Sequence, residues 1–195
     1  STLDRSSAAS DVYKRQLLIL LILAWSFYIG YSRGIVLQAY YLLSAIVAFF
    51  IASQSYQGLA RFLSLWVPYS SATEGATTYY FPNNQLFHLD KVFYAGLAFF
   101  IIYTFIYAIG RFIGIFIHLV PKGNTDSRWY NVASGVIAVF ISLFAIEMFL
   151  TVFATVPLAF IQDRLNHSGL ASFIINHTPI TSSLLKYFWV TKVIG

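Results

Sequence analysis

Three ionisable side chains stand inside or at the edge of long apolar runs: Arg33, Arg111 and Glu147. Glu147 is the only acid in the run from Asn131 to Ile161. An acid in that setting can carry a proton or a cation through hydrocarbon, or it can pair with a neighbouring helix. Counted from Asn131 it lies sixteen residues along, roughly 24 Å up a helix. That height is towards the outer face, where a carboxylate is expected to stay wet, and an interfacial or helix-paired role is favoured over an ion path. Arg33 sits in Gly30-Tyr31-Ser32-Arg33-Gly34. Two glycines let a chain reverse within a few residues. The arginine can bind lipid phosphate at the inner interface, although a topology-fixing role is the favoured reading. Arg111 closes the third apolar run and can snorkel to the inner headgroups.

Other chemistry is not indicated. The chain has no cysteine, so it has no thiol nucleophile, disulfide or Cys-based metal site. His88, His118, His167 and His177 lack ligand spacing. The sequence contains no HExxH, Walker loop, GxGxxG or GxSxG. No catalytic, cofactor or metal site is expected, and the chain reads as a non-enzyme.

Composition says what must position these residues. Of 195 residues, 58% are hydrophobic and only 10% charged, against about a quarter charged in soluble domains. So little charge cannot cover a water-facing surface, which excludes a soluble enzyme or nucleic-acid binder. Disorder needs the opposite composition. The net charge of +5 is then loop charge beside a bilayer rather than a nucleic-acid footprint.

A hydrocarbon core of roughly 30 Å takes about 20 apolar helical residues. Four segments fit: Leu17 to Tyr31, Gly34 to Ser53, Val92 to Gly110 with a continuation past Arg111, and Asn131 to Ile161. The expected fold is an all-α integral membrane protein of four transmembrane helices. The last two segments exceed one bilayer, so each must tilt, kink or protrude, with Arg111 and Pro157 the natural places for a change. Short interfacial amphipathic helices are expected in the 54–90 connection and in the C-terminal tail, 162–195. In the first, Tyr56, Leu59, Ala60, Leu63, Trp66 and Val67 share a face. In the second, Thr178-Pro179 reads as an N-cap and first-turn proline, with Ile180, Leu184, Tyr187 and Phe188 as the apolar face. Tyr31, Tyr56, Trp66, Trp129 and Tyr130 are expected to form an aromatic belt.

Small residues recur at helical spacing: Ser44, Ala48 and Ala52, then Ser134, Ala138 and Ser142, with Gly110 and Gly114 as a GxxxG. Such faces let backbones approach closely. Packing within one bundle is favoured over a homodimer face. The expected partners are the lipid bilayer and, beyond it, another membrane protein or a second copy of the chain. Lys and Arg in the two short turns, Arg33 and Lys122 with Arg128, place those turns in the cytoplasm.

Residues 1–16, STLDRSSAASDVYKRQ, are polar and differ in character from the apolar run that begins at Leu17. They back-translate without a break into a string resembling a sequencing adapter, and are expected not to be native. Such segments are excluded from fold reasoning, so the membrane domain is taken as 17–161.

From Leu17 to Lys192 the chain resembles the colicin V production protein (CvpA) family. The resemblance rests on the order and spacing of several short motifs. These are Gly30-Tyr31-x-Arg33-Gly34, Leu89-Asp90-Lys91-x-Phe93-Tyr94-x-Gly96, Gly110-Arg111-Phe112-x-Gly114, Asn131-x-x-x-Gly135, Ser168-Gly169-Leu170-Ala171 and His177-Thr178-Pro179-Ile180. The resemblance implies a small bacterial inner-membrane protein with about four membrane helices. It implies an accessory role in toxin (bacteriocin) production or export, or in envelope homeostasis. A small channel or transporter subunit and a membrane scaffold are the alternatives. No catalytic residues come with the family. One departure is visible: relatives often carry a strongly basic stretch after segment three, whereas FIGIFIHLV here is nearly uncharged.

Overall fold

The computed structural model describes residues 2–69, 78–81, 88–117, 127–178 and 180–194. Among these, the ordered elements are helices. Four are long: α1 (Thr2–Arg33), α2 (Ile35–Trp66), α3 (Leu89–Ile117) and α4 (Arg128–Ala154). Each contains a stretch long and apolar enough to cross a membrane. Short helices follow: α5 (Ala159–Asn166), α6 (Gly169–His177), α7 (Thr181–Lys186), a π turn over Tyr187–Thr191 and α8 (Lys192–Ile194).

Several expected boundaries move. The backbone of residues 2–16 is helical and continuous with the first span. The stretch 54–66 is not a separate interfacial helix but the last third of α2. Nothing between Ser53 and Trp66 breaks a helix, since the first proline is Pro68. At 32 residues, or roughly 48 Å, α2 outruns a hydrocarbon core of roughly 30 Å by more than half. Its surplus turns are where Gln57, Arg61 and Ser64 appear. The apolar face of those turns packs inward. Tyr56 is buried, and Leu59, Ala60 and Leu63 are half-buried against the core. Tyr56 therefore leaves the expected belt, whereas Trp66, Trp129 and Tyr130 are exposed. α3 runs unbroken through Arg111. The fourth segment does stop short, at Ala154, ahead of Pro157.

Without a hydrophobic drive between helices in lipid, small residues decide which faces meet. α1 packs mainly on α4, and α2 mainly on α3, while α2 meets α4 along the seam between the two pairs. Gly110 lies against Ser44, where an added Cβ would sit 2.8 Å from the serine Cβ. Gly114 backs onto the Tyr41 ring, and Gly135 onto Phe27. Ala48, Ala52 and Ser134 have no exposed surface. The small-residue faces are thus used inside the bundle.

The tail folds back over the end of the bundle remote from the Gly34 turn. Trp189 is fully buried, with its ring against Gly96. Phe99 makes an edge contact to it at 5.8 Å, and Phe49 packs edge-on to Phe99 and Phe188 at 5.4 and 5.5 Å. Such pairs contribute about 0.5–1.5 kcal/mol each beyond area burial. The buried tail face is Thr181, Ser182, Leu185 and Trp189. The expected face of Ile180, Leu184 and Tyr187 is the exposed one. Thr178 is not an N-cap. It closes α6, its hydroxyl donating back to the Ile174 carbonyl, and α7 starts at Thr181. Ser168 does cap α6, accepting from Ala171 N at 3.4 Å.

Candidate functional site

The turn between α1 and α2 is a single residue. Gly34 holds φ +86° as the N-cap of α2, with nothing within 4 Å of where a Cβ would be. Its glycine is required by backbone conformation, because L side chains rarely adopt that region. Gly30 is a different case. It is helical, and an added Cβ would collide with Ala138 Cβ and lie 2.8 Å from the Ser134 carbonyl oxygen. Ser134 Oγ donates to the Gly30 carbonyl at 2.5 Å. Gly30 therefore sets the crossing of α1 with α4.

Arg33 and Arg111, 78 positions apart in sequence, converge on one aromatic ring. Their guanidinium carbons lie 5.3 and 5.0 Å from the Tyr41 centroid. Arg111 is also 6.0 Å from the Tyr107 ring. Cation–π contacts of this kind contribute about 0.5–1 kcal/mol where exposed and more when desolvated. Tyr41 is itself buried.

Glu147 lies at the other end. It has no exposed surface, so the expectation of a wet, interfacial carboxylate is not met. The reason is the tail: α7 lies over it, and Thr181 Oγ1 donates to Glu147 Oε2 at 2.5 Å. Oε1 is buried with no hydrogen-bond partner. Lys186, further along α7, donates from its ammonium to Asn176 Oδ1 at 3.4 Å. Ile180, just before Thr181, holds φ +71°. A β-branched residue there is strained by about 1–3 kcal/mol, and that strain is held in place by the docking of Thr181.

Three polar residues at this end have bonding roles that the sequence did not reveal. Gln162 Nε2 donates to the Ala154 and Val156 carbonyls, both at 2.9 Å, and Oε1 accepts from Tyr79 N at 3.2 Å. It thereby satisfies carbonyls left open where α4 ends before Pro157. Tyr69 donates to the Thr155 carbonyl at 2.8 Å. Burial and the nearby Asp90 push the Tyr69 phenol well above its ordinary value, so it remains a donor. Tyr94 donates to the Val67 carbonyl at 2.6 Å. Among the described residues no three His, Asp or Glu side chains gather as metal ligands. His118 lies outside the described residues.

Two features thus define the site: a glutamate sealed by the tail, and an arginine pair at the opposite end of the bundle. A family model described as colicin V production protein matches residues 16–179. The chain belongs to the colicin V production protein family. Similarity to a relative extends over nearly the whole chain. The uncharacterized transmembrane protein YshB of Bacillus subtilis (strain 168) is 30% identical over 176 residues, 89% of this chain and 96% of that protein. No solved structure matches. With four apolar helices and a transmembrane relative from a bacterium, this colicin V production family member is a multi-pass protein of the bacterial cell membrane.

Proposed function

We propose that this protein is a non-catalytic accessory component of bacteriocin production or export, or of envelope homeostasis. Its family supports that reading, and one observation carries it further. The acid inside α4, Glu147, is covered by the protein's own tail and hydrogen-bonded to Thr181. An ion pathway needs an acid accessible from water, whereas a sealed one serves to lock the tail onto the bundle. On this reading Glu147 fixes the shape of a membrane scaffold. A partner membrane protein would meet the outward face of α1, where Leu21, Trp25 and Tyr28 are exposed.

The test is deletion of the gene in a bacteriocin-producing host. Secreted toxin activity and resistance to envelope stress should fall, and both should return with the wild-type gene. Site-specific crosslinking from Tyr28 in native membranes should trap another membrane protein. Ion flux in proteoliposomes that is lost in Glu147→Gln would instead establish a channel or transporter subunit.

A further inference from the structure

Among the described residues, Arg33 and Arg111 share the Tyr41 ring without a carboxylate paired to either. Of the acids on α3 and α4, Asp90 precedes Arg111 by 21 residues, roughly 30 Å along the helix axis, and Glu147 is bonded to Thr181 of the tail. Two like charges brought onto one ring repel each other. One ring face offsets only part of that cost; an anion would offset the rest.

The space for one exists. A pocket of about 70 Å³ lies between the arginines and α4, bordered by Ser26, Gln38, Tyr107 and Ser142. Gln38 is only 2% exposed, and its Oε1 has no partner. An anion that also carries a hydroxyl would supply the missing donor. Ile141 forms part of this pocket and also of a second, apolar crevice of about 220 Å³ between α2, α3, α4 and α7. Ala45, Phe49, Tyr103 and Leu184 border it. From Gln38 to Phe49 the two spaces run roughly 16 Å along α2. At the rim, Ile46, Phe140 and Leu184 are exposed, so the crevice opens sideways to the bilayer.

We propose that this seam binds one phospholipid with an anionic phosphate headgroup, its phosphate on Arg33 and Arg111 and an acyl chain in the crevice. Arginine binds phosphate through paired, charge-assisted hydrogen bonds. A charged head beside a dry channel matches an amphiphile, and a free anion would leave the crevice unused. The lipid site goes beyond the accessory role and does not depend on it.

The experiment uses the full chain in phosphatidylcholine nanodiscs and reads energy transfer from tryptophan to pyrene-labelled phosphatidylglycerol. Saturable transfer at one lipid per chain is expected, well above that for equally labelled phosphatidylcholine. Arg111→Gln alters an exposed side chain and should weaken binding roughly five- to tenfold. Arg33→Gln with Arg111→Gln should abolish the preference for the anionic lipid, while Arg111→Lys keeps part of it. Ala45→Leu narrows the crevice and should weaken the lipid at unchanged helicity. Wild-type preference in the folded double variant overturns the proposal. Displacement of the lipid by inorganic phosphate, with no effect of Ala45→Leu, overturns it too and assigns a free-anion site.

Discussion

Glu147 shows how a single residue can be expensive and still retained. A carboxylate taken out of water costs several kcal/mol unless its lone pairs are satisfied, and here one oxygen is bonded by Thr181 while the other is not. Removing the donor should therefore hurt more than removing the charge. Thr181→Val is expected to destabilise tail docking by about 1–3 kcal/mol, read as faster proteolysis after Lys186. Glu147→Gln keeps an acceptor for Thr181 and should leave the tail as protected as in the wild type. The two turn glycines separate in the same way. Gly34→Ala should cost about 1 kcal/mol through backbone conformation alone, because the space is open. Gly30→Ala forces α1 away from α4 and should cost more. Its membrane abundance should recover in part when Ala138→Gly removes one of the two collisions, while Gly34→Ala should not respond to Ala138→Gly.

At the scale of elements, the bundle is two tight pairs joined by a seam, and the tail is the element that closes one end of it. Trp189 links the tail to α3, filling the space that Gly96 leaves. Trp189→Ala should cost about 3–5 kcal/mol and release the tail while α1–α4 remain helical. The measurement is thermal unfolding in detergent alongside limited trypsin digestion. Cleavage at Lys186 and Lys192 should appear well below the temperature at which helicity is lost. A single coincident transition for tail and bundle would show that the two form one cooperative unit. The turns of α2 beyond one bilayer thickness are the ones that carry Gln57, Arg61 and Ser64.

For the molecule as a whole, the distribution of Lys and Arg gives the expected orientation. Arg33, Lys122 and Arg128 sit in the two short turns, so those turns should face the cytoplasm. Because the chain has no cysteine, single cysteines at Ser32, Asn124 and Thr77 can be labelled one at a time with an impermeant thiol reagent. In intact cells Thr77→Cys should label while Ser32→Cys and Asn124→Cys should not. The opposite pattern would reverse the topology and move the arginine pair to the outer leaflet.

The sequence alone carried the membrane class, the four spans, the family and the need for glycine at the α1–α2 turn. These depend on local composition and spacing: about 20 apolar residues make a span wherever they occur, and a one-residue reversal requires a left-handed backbone. Tertiary structure alone decided which spans pair, and so which charged groups meet. Arg33 and Arg111 each read as a separate interfacial cation, and nothing in their local sequence reveals that they share Tyr41. Glu147 read as wet because its height along α4 was legible but the tail's return path was not. The amphipathic face of 54–67 and that of the tail were both visible, yet a polar–apolar pattern does not distinguish burial against protein from burial against lipid. In a bilayer both surroundings are apolar, so only the packed arrangement separates them.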